Sequence, residues 1–282
     1  MKRILVTAQN SYIGNSFADW VKDDDIKIEF LSCRSDEWKK KSFSEYDVVY
    51  HVAGIAHLNE KKVNSELYYT VNRDLTIDLA TKSKDEGVLQ FIFLSSMSVY
   101  GLETGIINKN TIENPVSNYG KSKLQAENEL IKLESDNFSV VILRPPMVYG
   151  RGCKGNYTKL SKISKKLPIF PDSINKRSMI YIDNLSELVK IIINNKSKGI
   201  FYPQNEEYVN TASMVRLISK YKSSKIYIFK VPSEIIKYLK IGSIKKIFGT
   251  LVYDMSLSEH HLSYCCVNFN DSIELTESGA EI

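Results

Sequence analysis

An α/β fold, a doubly wound parallel sheet with a smaller C-terminal lobe, is the class this sequence predicts. Three observations carry that prediction. Short, nearly continuous apolar runs alternate with helix-period segments through the first half. The Gln90–Leu94 run ends in the hydroxyl-bearing Ser95-Ser96-Met97-Ser98, and the alternation changes character after Gly150. Apolar runs without polar alternation are strands buried on both faces, as in a parallel sheet covered by helices. Such a sheet opens its ligand crevice at the carboxyl ends of its strands.

Taken in order, Arg3–Thr7 reads as the first strand. Gly14–Lys22 is helical, with Phe17, Trp20 and Val21 at three- to four-residue spacing. Lys27–Ser32 and Asp47–Val52 are strands, and Val71–Glu86 is a helix carrying Leu75, Ile77, Leu79 and Ala80. Gln90–Leu94 is a strand, Tyr119–Leu133 a helix and Ser139–Leu143 a strand. Beyond Gly150, Thr158–Lys166 reads as a short helix and Leu167–Phe170 as an extended piece. Met179–Ile182, Asn184–Asn194 and Gly199–Tyr202 read as strand, helix and strand. Ala212–Tyr221 and Ser233–Ile241 are helical patches, and the polar, acidic tail after Asn268 is expected to be peripheral.

At 282 residues the chain is long enough for one large core with an appended lobe. Its 43% hydrophobic and 25% charged content is that of a globular protein. No apolar run approaches the roughly 20 residues that span a bilayer. The N-terminal apolar stretch is too short for a signal sequence, so a cytoplasmic location is expected. The four cysteines, Cys33, Cys153, Cys265 and Cys266, stand in no metal-ligand spacing; no metal is expected, and the thiols read as bland. The net charge of +5 comes from scattered lysine groups rather than a basic arm. That reads as solvated surface, not a nucleic-acid interface.

The first strand runs into Thr7-Ala8-Gln9-Asn10-Ser11-Tyr12-Ile13-Gly14 and then a helix. A strand, a tight loop and a helix N-terminus form the phosphate-binding arrangement of dinucleotide sites. The usual loop carries three glycines; here Gly14 alone remains, with Ala8 and Ser11 at the other places. Either of these would strain the loop if it had to adopt a positive φ. A loop that grips the ribose of NAD ordinarily has an acid about 20 residues on. The second strand instead ends Ser32-Cys33-Arg34-Ser35, and no acid appears until Asp36. Arg34, assisted by Ser32 or Ser35, is suited to a 2′-phosphate, which favours NADP(H) with NAD(H) possible; the alternative is a surface arginine.

Tyr119-Gly120-Lys121-Ser122-Lys123 opens a helix and sets Tyr119 and Lys123 on one face. A lysine ammonium beside a phenol is expected to lower the phenol's pKa and make it an acid–base group near neutral pH. The spacing alone is common. It gains meaning from Ser95-Ser96-Met97-Ser98, whose hydroxyls stand at the carboxyl end of the Gln90–Leu94 strand, where a ligand must sit.

At these residues the chain resembles the extended short-chain dehydrogenases, the NAD-dependent epimerase/dehydratase family. Matching blocks stand in order: Thr7–Gly14, Asp47–Gly54, Val71-Asn72, Ser95–Gly101, Tyr119–Lys123, Leu143–Gly150 and Arg177–Asp183. The resemblance implies a catalytic Ser96, Tyr119 and Lys123. It implies that Thr7, Asn10, Ser11, Tyr12, Ile13, Gly14, Arg34, Ala53, Asn72, Tyr119, Lys123 and Pro146 surround the cofactor. It implies a UDP-linked sugar partner held by His57, Ser96, Ser98, Tyr119, Asn156 and Arg177, with Leu167–Phe170 beside the uracil. His51, by contrast, reads as a hydrogen-bonded core residue. Residues 1–150 with 178–205 are expected to form the dinucleotide-binding domain, and 151–177 with 206–282 the nucleotide-sugar lobe. A homodimer is an expectation of the resemblance.

Asn10–Gly14, Arg34–Trp38, Arg144–Gly150 and Lys166–Ile169 further resemble the short capsule-pathway reductases. That likeness implies NADPH-dependent 4-reduction of a UDP-4-keto-6-deoxy-N-acetylhexosamine to UDP-N-acetylquinovosamine or UDP-N-acetylfucosamine. A UDP-sugar 4-epimerase with tightly bound NAD is the alternative, and a non-catalytic NADP-binding module a further one. Dehydration is disfavoured, because Met97-Ser98 supplies no acid after the serine.

Overall fold

The computed structural model describes residues 1–56, 65–166, 168–172, 174–222, 224–230, 248–258 and 262–278. In chain order the first elements are β1 (Lys2–Thr7), α1 (Tyr12–Trp20), β2 (Ile26–Leu31), β3 (Val48–His51), α2 (Glu66–Tyr69), α3 (Leu75–Asp85) and β4 (Gln90–Leu94). A π-helical turn, Thr70–Asp74, joins α2 to α3, and a 3-10 turn, Met97–Tyr100, follows β4. Then come β5 (Gly105–Ile107), α4 (Asn118–Leu133), β6 (Ser139–Leu143), β7 (Met147–Tyr149), α5 (Asn156–Lys166), β8 (Ile169–Asp172) and β9 (Met179–Tyr181). The last are α6 (Ile182–Asn194), β10 (Gly199–Phe201), α7 (Thr211–Tyr221), β11 (Tyr227–Lys230), β12 (Leu251–Tyr253) and α8 (Phe269–Ser278).

The chain divides into two compact units. The first comprises residues 1–101, 112–145 and 185–203; the second comprises 102–111, 146–184 and 204–282. In the first, six strands form one sheet in the order β10-β6-β4-β3-β1-β2. Every adjacent pair is parallel. From β1 the chain passes outward to β2 and returns to β3 on the other side of β1. The direction of winding therefore reverses between β1 and β3, and the crevice of a doubly wound sheet lies there. The core on one face packs Leu5, Val49, Phe91, Phe93, Val140 and Ile142 of the strands against helical Leu79, Ala126 and Leu130. These fully apolar strand residues are what a sheet covered on both faces demands.

In the second unit, parallel pairs β7–β9, β8–β11 and β5–β12 are joined to α5, α7 and α8. Here the structure corrects one expectation. The acidic tail is not peripheral: α8 buries Ser272, Ile273, Thr276 and Glu277. Glu277 accepts a hydrogen bond from Tyr157 Oη (2.7 Å) and pairs with Lys222. A one-turn spacing of small and apolar residues outweighed the tail's charge. The expected helix Ser233–Ile241 lies outside the described residues. Among the described residues, no helix is long and apolar enough to cross a membrane.

Candidate active site

The loop after β1 shows how the chain manages without its usual glycines. Ala8 sits in the left-handed region with φ +68°. An alanine held there costs about 1–2 kcal/mol. Two hydrogen bonds hold it: Ala8 N to Leu31 O (2.8 Å) and Ser11 N to Ala8 O (2.9 Å). Ser11 has ordinary extended geometry and is the N-cap of α1, its Oγ accepting from Gly14 N at 3.2 Å. A side chain on Gly14 would come within 2.9 Å of Val6 Cγ1, so the third glycine is fixed by helix–sheet packing. Asn10 is exposed at the turn, Tyr12 and Ile13 are half-buried, and they begin the helix whose first-turn amides have no helical acceptor. This loop fits the pyrophosphate of a dinucleotide, since Ala8 makes the left-handed turn a glycine would make and α1 begins directly after Ser11.

At the end of β2, Arg34 is exposed and has no ion-pair or hydrogen-bond partner among the described residues. Burial pushes the neighbouring Cys33 thiol up to about 11, so it is an inert thiol.

The end of β4 and the start of α4 bring Ser96, Ser98, Tyr119 and Lys123 together. Ser96 caps the 3-10 turn; its Oγ accepts from Ser98 N (3.1 Å) and donates to Ser98 Oγ (3.1 Å), and it stands beside the Tyr119 hydroxyl. Ser117 caps α4 by accepting from Gly120 N at 3.1 Å. Gly120 is required for this approach, because a Cβ there would lie 2.6 Å from Ser98 O. Lys123, 4% exposed, donates to Leu94 O (2.8 Å) and places Nζ 4.5 Å from the Phe93 ring centroid.

The electrostatics correct a further expectation. Burial pushes the Tyr119 phenol above its ordinary value, while its bond with Ser96 acts in the opposite direction. Lys123 does not depress it: the ammonium is turned to the Leu94 carbonyl and the Phe93 ring, and burial lowers Lys123 itself to about 7. The unit therefore holds a neutral phenol that can give up a proton and a lysine close to its own titration point.

Asn72 is fully buried in the π-helical turn. Its amide clamps the loop after β3 from both sides: Oδ1 accepts from Ile55 N (2.9 Å) and Nδ2 donates to Ile55 O (3.0 Å) and Ser122 Oγ (3.2 Å). π-turns of this kind are frequent at functional sites. Thr7 Oγ1 accepts from Val52 N (3.1 Å) and Ala53 N (3.0 Å), which ties the carboxyl ends of β1 and β3 together. Ala53 is buried at that junction.

One cluster carries side chains to which the sequence reading assigned no role. Arg144, at the end of β6, grips Glu127 of α4 through Nε (3.2 and 3.1 Å) and Nη2 (2.6 Å). It also meets Glu113 (2.7 Å) and Tyr100 Oη (2.7 Å). Glu127 accepts from Ser95 Oγ as well. Burial pushes the Glu127 carboxyl up, against the pull of Arg144. The signal was present, since Glu127 lies one helical turn beyond Lys123 on the face that carries Tyr119.

Of the remaining expected residues, Pro146, Asn156 and Arg177 belong to the second unit. Pro146 is buried, Asn156 is exposed as the first residue of α5, and Arg177 exchanges backbone hydrogen bonds of 2.9 Å with Val209. Burial lowers the Arg177 pKa. His57 and Leu167 lie outside the described residues, while Ile169–Asp172 forms β8.

Residues 8–209 match the family described as NAD dependent epimerase/dehydratase. A UDP-glucose 4-epimerase of Vibrio cholerae is 30% identical over 296 residues, covering 93% of this chain and 90% of that protein. Among solved structures, a UDP-N-acetylglucosamine 4-epimerase from Bacillus cereus superposes with a TM-score of 0.77 at 17% identity, covering 97% of both chains. A dTDP-4-dehydrorhamnose reductase from Clostridium acetobutylicum gives 0.76 at 17% identity, covering 97% of this chain and 98% of the other.

Proposed function

Because the chain belongs to the NAD dependent epimerase/dehydratase family, we propose that it performs hydride chemistry at carbon 4 of a UDP-linked sugar, with NADP(H) preferred. The leading reading is reduction of a UDP-4-keto-6-deoxy-N-acetylhexosamine to UDP-N-acetylquinovosamine or UDP-N-acetylfucosamine. The observation that carries it is Arg34, exposed and without a partner among the described residues, at the end of β2 where an NAD-type site would place an acid. A guanidinium there is suited to the extra phosphate of NADP.

A nicotinamide, when bound, would supply the hydride chemistry. Tyr119 gives its phenolic proton to the oxygen that forms at carbon 4. Ser96 hydrogen-bonds the same oxygen and holds it against Tyr119, and Ser98 orients Ser96. Lys123, anchored to the Leu94 carbonyl, would hold the nicotinamide ribose. Asn72, Ala53 and Pro146 would line the dinucleotide, with Thr7 through Gly14 at its pyrophosphate. Asn156, Arg177 and His57 hold the nucleotide sugar. The first unit is the dinucleotide domain and the second the sugar lobe.

A second reading, UDP-sugar 4-epimerisation with tightly held NAD, is favoured by the Vibrio cholerae relative. The two part at the cofactor. Reductase action predicts protein purified free of dinucleotide that binds NADPH about tenfold or more tighter than NADH, with Arg34→Ala abolishing the preference. NAD retained through purification, with Arg34→Ala silent in dinucleotide titrations, would select the epimerase.

A further inference from the structure

His51 closes β3 beside the point where the sheet reverses direction, and its ring is completely buried. Its Nδ1 lies 2.9 Å from Thr7 Oγ1 and its Nε2 2.9 Å from Thr76 Oγ1 on α3. The proton positions follow from valence. Thr7 Oγ1 has two lone pairs, and Val52 N–H and Ala53 N–H occupy both. Its single proton must therefore point at His51 Nδ1, which must be bare. The ring proton is then on Nε2 and is donated to Thr76 Oγ1. Thr76 passes its own proton to Asn72 O at 2.9 Å. From Asn72 the chain continues through Nδ2 to Ser122 Oγ, and from Ser122 Oγ to Tyr119 O (2.9 Å). Each proton in this line has one acceptor, Asn72 Nδ2 placing its other proton on Ile55 O, and all run in one direction.

We propose that His51 is a positioning residue, held as a neutral Nε2–H imidazole, which couples the dinucleotide loop at Thr7 to Asn72 and the Tyr119 helix. The proposal rests on the dinucleotide reading of the site. A protonated ring would set two donors against each other at Thr7, so the line conducts position only when His51 is neutral. The groups facing the ring are Thr7 from β1, Thr76 from α3, and Phe91 and Phe93 from β4, each ring centroid 5.8 Å away. Lys123 of α4 is the charged group that acts on it. Burial first, and Lys123 second, lower the imidazole to about 3, in keeping with a ring that stays neutral. Ordinary catalytic histidines titrate near neutrality; this one is built not to.

The test needs no sugar substrate. Histidine-selective ¹⁵N labelling and long-range ¹H–¹⁵N correlation give the tautomer of each ring, with His51 assigned by its loss in His51→Gln. The expected result is a protonated Nε2 and bare Nδ1 for His51, unchanged from about pH 5 to about pH 8. Thr76→Val, nearly isosteric, removes the acceptor for Nε2–H and the donor to Asn72. It is expected to mix the tautomers and weaken dinucleotide binding about fivefold or more, with the far-UV spectrum unchanged, while Thr76→Ser restores both to within about twofold. An Nδ1–H tautomer, a ring that charges within that pH range, or a folded Thr76→Val with wild-type dinucleotide affinity would overturn the proposal. Failure of the wild type to bind either dinucleotide would overturn the functional reading and the coupling together. An Nδ1–H ring with normal dinucleotide binding would overturn the coupling alone.

Discussion

At the scale of single residues, the strongest local conflict is Ala8, an L-residue at φ +68° in the loop the dinucleotide is proposed to occupy. Ala8→Gly removes a Cβ from a conformation that glycine adopts freely, and the gain exceeds the extra entropy of an unfolded glycine. Urea unfolding should show the variant more stable by about 0.5–1 kcal/mol. Lys123 gives the opposite kind of conflict, stability set against chemistry. Its folded-state pKa of about 7 lies below the unfolded value of about 10.4. Between those values the unfolded chain binds more protons, so this group's contribution to stability rises with pH across that window and its full penalty applies below it. Lys123→Met should flatten that rise, gain stability at pH 6 relative to pH 9, and lose about 100-fold or more in turnover. A variant whose pH–stability curve parallels that of the wild type would refute the buried-ammonium account.

At the scale of elements, α4 organises the site. Its buried face carries Gly120, Ser122, Lys123, Ala126, Glu127 and Leu130, an unusually polar stripe for an inward face. The Tyr119–Lys123 pair at its start was legible from spacing, and so were the serines closing β4. Glu127 was not singled out, because a glutamate in a helix ordinarily faces water, and only the fold brings Arg144 of β6 to it. That pair is 1% and 3% exposed at the side chains. Arg144→Met alone leaves the buried Glu127 carboxylate without its ionic partner and should cost about 3–5 kcal/mol, while Glu127→Gln leaves Arg144 paired with Glu113 and should cost less. The double variant should cost less than the sum of the singles, the coupling that chemical denaturation of the four proteins would measure. The same reasoning applies to the pKa of Tyr119, which burial raises. Spacing placed the ammonium one turn away but said nothing of the Leu94 carbonyl toward which it turns.

At the scale of the whole molecule, the parallel sheet was readable because the apolar runs of β1, β3, β4 and β6 must be buried on both faces. The polar network at the β1–β3 reversal was not, because Thr7, His51, Thr76 and Asn72 are scattered in the sequence and meet only through strand order. Strands such as β5, β7 and β12, three residues each, were below the length at which periodicity speaks. The acidic C-terminal helix was misjudged by composition, since charge on one face hid Ile273 and Glu277 on the other. What the fold offers to the proposed function is a crevice at the reversal point, a loop whose Ala8 makes a left-handed turn, and a serine, a tyrosine and a lysine gathered at the end of β4 and the start of α4. Tyr119→Phe, with the hydroxyl removed and the ring kept, should reduce turnover about 100-fold or more while circular dichroism and dinucleotide affinity hold.

The most direct test of carbon-4 reduction is loss of reduced-nicotinamide absorbance when UDP-4-keto-6-deoxy-N-acetylglucosamine is added to the protein with NADPH, beside NADH and beside Tyr119→Phe. The account predicts rapid consumption of NADPH, slow consumption of NADH and almost none in the variant. No consumption of either dinucleotide by folded wild type, with UDP-hexoses interconverting at carbon 4 without added cofactor, would contradict it.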